Sequence, residues 1–197
     1  MGRYENSTRQ RGVRGFTIVE LLIVIVVIAI LAVITVTTYN GITRKAEDAS
    51  LLAVLDTYEK AVRLYYSTYG TFPSTEHRGL WSWVCLGEVY PEENGFMQGE
   101  CGIQGVSPSA TVDESINIAL REFVQPLPDT HHIKVGTLVR GFTYQGVSNH
   151  PVHGSTAAIG YYIEGDRPCG RGKKMLASGS PEVPQFTMCT LTIVVKN

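Results

Sequence analysis

A long apolar run, residues 16–36, constrains this chain more than any other feature of its sequence. Its middle, residues 21–34, contains no polar side chain. In a helix these twenty-one residues extend about 31 Å, which is close to the thickness of the hydrocarbon core of a bilayer. The run therefore predicts one helix that spans a membrane.

Positive charge is concentrated on the N-terminal side of this run. The first fifteen residues contain one acid, Glu5, and four arginines: Arg3, Arg9, Arg11 and Arg14. Because the whole chain has a formal net charge of −1, the remainder carries −4. This asymmetry predicts a cytoplasmic N-terminus, with the chain after the run outside the membrane. A removable secretory signal has a similar basic start, but no small-x-small cleavage site ends this run.

Helical periodicity continues beyond the apolar run. Apolar residues recur at steps of four and three along one face: Leu51, Leu55, Tyr58, Val62, Tyr65 and Tyr69. The pattern predicts one helix over residues 16–69, apolar on all sides in its first half and amphipathic in its second. Gly70 and Pro73 mark its end, and Gly41 is the position where a bend is most expected.

The most specific motif stands where the apolar run begins, and reads Arg14-Gly15-Phe16-Thr17-Ile18-Val19-Glu20-Leu21-Leu22. Gly15 has no side chain to obstruct a protease that holds the chain extended. Glu20 places a carboxyl group inside an apolar helix, which is costly unless the group has a partner. The motif resembles the processing site of type IV pilins and their relatives. That resemblance implies cleavage after Gly15 by a prepilin peptidase, methylation of the Phe16 amine, and an assembly role for Glu20.

The resemblance also implies how the chain is organised. Residues 1–15 would be a cytoplasmic leader, 16–36 the membrane-spanning and filament-core half of the helix, and 37–197 an extracellular head. The protein would be a single-pass protein of the cytoplasmic (inner) membrane before assembly, and part of an extracellular pilus or fimbrium afterwards. Its implied partners are further copies of itself, minor pilins, the prepilin peptidase, the membrane assembly machinery and the lipid bilayer. The implied function is a filament subunit for adhesion, twitching motility or DNA uptake, without a cofactor.

The head is predicted to be α+β, with the long helix packed on a small antiparallel β-sheet. With 197 residues and 44% apolar content, the chain can bury one modest core. A second helix is predicted over residues 111–124, where Thr111 and Glu114 have the spacing of a capping box. Runs rich in β-branched and aromatic residues predict three strands, at 137–147, 156–164 and 185–196.

Four cysteines fall in the part predicted to lie outside the membrane: Cys85, Cys101, Cys169 and Cys189. An even number in an oxidising compartment favours disulfides, and of the three possible connectivities we favour the two local pairs, Cys85–Cys101 and Cys169–Cys189. Their spacings match no zinc pattern, and His77 and His153 nearby add little, so no metal site is expected.

A pseudopilin of type II secretion is the main alternative to a pilin. A disulfide-closed C-terminal loop resembles the variable surface loop of many pilins, whereas major pseudopilins usually carry an acidic calcium site there. After Gln125 this chain has only four acids, namely Asp129, Glu164, Asp166 and Glu182. The comparison favours a pilin.

An enzyme is not expected, because the chain has no Gly-x-Ser-x-Gly, His-Glu-x-x-His or phosphate-binding glycine motif. A membrane-anchored extracellular enzyme or binding protein remains as the alternative of another class. Four histidines are interpreted as surface-loop residues, with weak metal binding or pH sensing as the alternative: His131, His132, His150 and His153.

Four cations lie near Cys169 and form a possible surface for DNA or other anionic ligands: Arg167, Arg171, Lys173 and Lys174. A solvated polar loop is the competing interpretation.

Overall fold

The chain divides into two compact units, Met1–Ala46 and Glu47–Asn197. The computed structural model describes residues 16–79, 81–105, 110–150, 154–180 and 183–194. A first helix, α1 (Ile18–Tyr69), contributes residues to both units.

The part of α1 in the first unit is apolar and exposed. Its window Ile18–Thr35 has a mean hydropathy of 3.3, is long and apolar enough to cross a membrane, and has no buried residue. The helix continues without interruption through Gly41, so the bend considered there does not appear as a break in the helix.

The part of α1 in the second unit carries the apolar stripe predicted from the sequence. Leu51, Leu55, Tyr58 and Val62 are buried, whereas Tyr69 at the end of the stripe is 49% exposed. Gly70 follows with a φ of 71°, and its N–H donates to the Tyr66 carbonyl at 2.8 Å. The left-handed conformation of glycine thus ends the helix as the sequence predicts.

The rest of the head is a short helix and a curled sheet. After a 3₁₀ turn at Glu76–Arg78, the described residues form α2 (Glu114–Arg121) and nine strands. The strands are β1 (Val84–Leu86), β2 (Glu100–Ile103), β3 (Ala110–Val112), β4 (Lys134–Val135), β5 (Val139–Arg140), β6 (Phe142–His150), β7 (Gly154–Glu164), β8 (Lys173–Ser180) and β9 (Val183–Ile193). Their order across the sheet is β4-β5-β2-β3-β1-β6-β7-β9-β8.

The contacts on the two faces of strand β7 show that the sheet curls. Its residues Ala157, Ile159, Tyr161 and Ile163 alternate along one face and belong to the main core with the α1 stripe and α2. Tyr162, on the opposite face, is buried in a second cluster with Val135 of β4, Val139 of β5 and Phe186 of β9. Because β4 and β5 lie at one end of the strand order, their contact with Tyr162 requires the sheet to fold over β7.

Sequence patterns predicted three of the four long strands but not the whole sheet. Strands β6, β7 and β9 correspond to the three predicted runs, whereas β8 lies where a loop near Cys169 was expected. The sheet is larger than expected and curled, although all but one of its described strand pairings are antiparallel, as predicted. Strands β1 and β3 pair in parallel, and β1–β5 have only two to four residues each. Such short segments show no period-two pattern, because alternation needs at least four positions to be recognised.

The second helix is shorter than predicted and capped by a different residue. Thr111 lies in β3, and the side chain of Asp113 instead accepts a hydrogen bond from the Ser115 N–H at 3.0 Å. Ile116 and Leu120 of α2 are buried in the main core, as the predicted face requires. The capping box assigned to Thr111 and Glu114 is therefore wrong, although the helix and its buried face are confirmed.

A buried arginine organises the loop between β1 and β2. Arg140 is 2% exposed, and its guanidinium lies 4.5 Å from the Phe96 ring centroid. It donates to the carbonyls of Pro91, Met97 and Glu100 at 2.6, 3.0 and 2.9 Å. Burial lowers the Arg140 pKa, opposed by nearby Glu93. One side chain thus satisfies three loop carbonyls that would otherwise lose their hydrogen bonds to water.

Two disulfides fasten the head. Cys85 in β1 is joined to Cys101 in β2, and Cys169, ahead of β8, is joined to Cys189 in β9. These are the two local pairs favoured from the sequence. The first closes a separation of 16 residues and the second a separation of 20.

Candidate processing and assembly site

The start of α1 is formed by a reciprocal pair of polar residues, Thr17 and Glu20. The Thr17 N–H and hydroxyl both donate to Glu20 Oε2, at 2.9 and 2.7 Å. In return the Glu20 N–H donates to Thr17 Oγ1 at 3.3 Å. Thr17 is the residue before the helix and Glu20 its third residue, so the pair is a capping box.

This geometry gives Glu20 a local partner in the uncleaved chain. Its position near the helix N-terminus is also favourable for a negative charge, because the helix dipole is positive there. Both hydrogen bonds from Thr17 reach Oε2, which leaves Oε1 to accept a further donor. Glu20 can therefore hold the helix start and receive a cation at the same time.

Sequence analysis missed the capping box although its signal was present. Thr17-x-x-Glu20 has the same spacing as the Thr111 and Glu114 pair that was predicted to cap α2. Because the residues after Glu20 are apolar, the sequence emphasises the cost of its carboxyl group, and only the structure shows that Thr17 is its partner.

The surface around this site is almost entirely apolar. Phe16 is 82% exposed and Ile18 84% exposed, and every residue of 16–35 is exposed. Gly15 and the rest of the leader lie outside the described residues, so the cleavage site itself stays a sequence prediction.

The predicted basic surface near Cys169 is partly neutralised by acids of α1. Arg167 donates to both carboxylate oxygens of Asp48, at 2.6 and 2.9 Å. Hydrogen bonding to Asp48 is the main reason that the Arg167 pKa is raised. This bidentate ion pair lies at the junction between the C-terminal loop and the helix.

Arg171 makes a second link to the same helix. It contacts Asp56 and donates to Glu59 Oε2 at 2.5 Å. Glu59 is only 7% exposed and also accepts from Arg63 Nε at 2.8 Å.

The two lysines of the patch differ from the arginines. Both lysines lie in β8 rather than in a loop; Lys174 pairs with Asp166, which lies between β7 and β8, and Lys173 is exposed. With three of the four cations facing carboxylates, the patch offers less uncompensated charge than the sequence suggests.

The predicted surface histidines fall into two groups. His131 and His132 lie beside Asp129, in the segment before β4, and their rings are 5.9 Å apart. The side chain of His150 and all of His153 lie outside the described residues.

The remaining histidine, His77, belongs to an ion-pair group. Its Nε2 is 2.7 Å from Asp113 Oδ2, which also accepts from Arg78 Nε at 2.8 Å. Burial acts to raise the Asp113 pKa, but the hydrogen bonds from Ser115 and His77 outweigh it and lower the pKa to about 2.

Comparison with known proteins gives a match in the N-terminal segment of the chain. The family model for the prokaryotic N-terminal methylation motif matches residues 10–36. No curated protein and no solved structure matches the chain. The match supports a protein of the type IV pilin or pseudopilin kind, and such a motif implies processing by a prepilin peptidase. Residues 10–36 of this chain thus form a type IV pilin-like prepilin motif.

Proposed function

We propose that this chain is a structural, non-enzymatic subunit of an extracellular type IV pilus filament. Prepilin peptidase cuts it between Gly15 and Phe16, the new Phe16 amine is methylated, and the mature chain polymerises through α1. The observation that carries this proposal is the prepilin motif at residues 10–36, which continues directly into an exposed apolar helix. The filament then serves adhesion, motility or DNA uptake.

The apolar half of α1 needs an apolar environment at each stage. Its exposed Val, Leu and Ile side chains each gain about 1.5 to 3 kcal/mol when they are fully removed from water. Before assembly, lipid supplies that environment for the window Ile18–Thr35. After assembly, the corresponding helices of neighbouring copies supply it, so transfer from membrane to filament keeps these side chains out of water.

Glu20 gives this transfer its specificity. Cleavage after Gly15 creates an amine at Phe16, and an ionised amine is the counterion that a carboxylate in an apolar surrounding requires. The capping box uses Glu20 Oε2, so Oε1 is the oxygen that accepts the Phe16 amine of a neighbouring copy. Each added subunit would then neutralise one buried charge.

A pilin is favoured over a pseudopilin by the C-terminal part of the head. The Cys169–Cys189 disulfide closes the region that carries an acidic calcium site in major pseudopilins. In the described part of that region the carboxylates are not gathered: Asp166 pairs with Lys174, and Asp129 contacts His131. We therefore favour a pilin, because a disulfide rather than a group of carboxylates closes this region.

Two variants separate the charge of Glu20 from its capping role. Glu20→Gln keeps an acceptor at the third helical position but removes the negative charge. Thr17→Ala removes the cap, at about 1 kcal/mol, and keeps the charge. Each is expressed as the only copy in the source cells, and filaments sheared from the surface are quantified beside the membrane-bound pool.

The proposal expects wild type and Thr17→Ala in the sheared fraction. Glu20→Gln should be cut normally and accumulate in the membrane, because an unpaired amine in an apolar interface costs on the order of 3 to 5 kcal/mol. Abundant filaments from Glu20→Gln would remove the assembly role of Glu20. Absence of the wild-type chain from the sheared filaments would contradict its role as a pilus subunit.

A further inference from the structure

The segment between α2 and β4 places three potential metal ligands on one turn. Asp129, His131 and His132 each offer a ligand atom, and these atoms lie within 4.8 Å of one another. We propose that this turn is a binding site for a divalent transition-metal ion such as Zn²⁺. The proposal is independent of the proposed pilus function.

The turn explains why residues with this spacing converge. In an extended chain the side chains of neighbouring residues point to opposite faces, so those of His131 and His132 would diverge. Here the His131 N–H donates to Asp129 Oδ1 at 3.1 Å, and the Ile133 N–H donates to the Thr130 carbonyl at 3.0 Å. These bonds close the chain and bring both imidazoles to the carboxylate side.

Buried contacts hold the backbone of this turn in place. Thr130, between the ligands, is fully buried and donates to the Leu86 carbonyl at 2.5 Å. On the preceding side, the Tyr58 hydroxyl donates to the Pro128 carbonyl at 2.7 Å. A metal ion would therefore bind to a backbone that is already ordered, and only the side chains of exposed Asp129 and His132 and half-buried His131 would have to adjust.

The donor set suits a borderline metal ion. Two imidazoles and one carboxylate match the ligands that Zn²⁺ uses in three-ligand sites, with a fourth position left to water. Ligand atoms around tetrahedral Zn²⁺ at about 2.0 to 2.1 Å lie roughly 3.3 Å apart. Side-chain rotation is enough to reach this spacing from separations of 4.8 Å or less.

The next cation along the chain does not oppose a metal ion. Lys134 follows the turn by two residues, but its ammonium pairs with Glu93.

The test uses the full-length protein in detergent, without a polyhistidine tag. Zn²⁺ is titrated calorimetrically, and Co²⁺ is added separately because its visible spectrum reports imidazole coordination. The variants are His131→Ala and His132→Ala. The matched control is His77→Ala, because His77 also contacts a carboxylate, Asp113, but has no second imidazole beside it in the described structure.

The proposal expects one saturable Zn²⁺ site per chain and a Co²⁺ spectrum that Zn²⁺ abolishes. His131→Ala and His132→Ala should each weaken binding by at least about tenfold, whereas His77→Ala should bind as wild type does. Equal melting temperatures without metal show that the variants remain folded. Absence of saturable binding to wild type would overturn the proposal, and so would unchanged affinity in both His131→Ala and His132→Ala.

Discussion

The two units of the chain differ in how far their apolar side chains are buried. Residues 16–35 are exposed throughout and have no core of their own. Residues 47–197 contain a main core, a curled sheet and two disulfides. The head can therefore fold from its own contacts, whereas residues 16–35 bury none of their apolar side chains within the described structure.

The hydrogen bonding of polar side chains also differs between the two units. Glu20 is held by one neighbouring residue and keeps an oxygen for another donor. In the head, Arg140 is buried and its donors are bound to three loop carbonyls. The buried guanidinium in the head is thus bonded within the head, whereas the Glu20 carboxylate keeps one oxygen for a further donor.

The largest expected effect comes from removing the first unit. A fragment of residues 42–197 should be soluble, folded and monomeric, because the main core lies within residues 47–197. The full-length chain should require detergent, because its exposed apolar helix associates in water. Sedimentation and circular dichroism of both forms measure this difference. A fragment that aggregates, or a full-length chain that is monomeric without detergent, would break the comparison.

A smaller effect is expected from opening a disulfide in the head. Closing loops of 16 and 20 residues stabilises a fold by about 3 kcal/mol each in the chain-entropy model. Cys169→Ser and Cys85→Ser should each lower the free energy of unfolding of the 42–197 fragment by roughly this amount, measured in urea. Peptide mapping without reductant provides the control. Equal stability of variant and wild type, or a Cys85–Cys169 pair, would contradict the assignment.

The smallest effect concerns Asp113, whose pKa is lowered to about 2 from 3.8. A lowered carboxyl pKa contributes stability above pH 3.8, and this stability is lost as the pH falls toward 2. Asp113→Asn keeps the cap of α2 but removes the charge that His77 and Arg78 share. At pH 7 it should lower the free energy of unfolding by about 2 kcal/mol.

The pH profile separates this charge effect from a packing defect. The difference between wild type and Asp113→Asn should shrink toward zero as the pH falls below 2, where both side chains become neutral. A difference that persists unchanged at that pH would mean that Asp113 does not stabilise the head through its charge.

Sequence reasoning succeeded where a pattern repeats over many residues. The α1 stripe from Leu51 to Val62 spans several turns, so its buried face could be predicted with its end at Gly70. The curled sheet could not be predicted, because the pairing of β5 with β2, and the clustering of Val135 with Tyr162, join short segments far apart in sequence.

The same contrast between local patterns and contacts made by folding holds for the candidate sites. The prepilin motif is a local sequence signal, and the comparison with known proteins recovers it at residues 10–36. The potential metal ligands Asp129, His131 and His132 are brought together by a turn held by buried Thr130, so the sequence offered metal binding only as an alternative, and only for the histidines.

The central claim is that the chain is a prepilin that matures at the Gly15 and Phe16 bond. Mass analysis of the protein recovered from the membrane and from sheared material tests it most directly, with Gly15→Val as the uncleaved control, because a β-branched side chain crowds the position that the peptidase must hold. The account predicts a mature N-terminus at Phe16 that carries one methyl group, and only full-length precursor from Gly15→Val. A mature N-terminus at any other residue would contradict it.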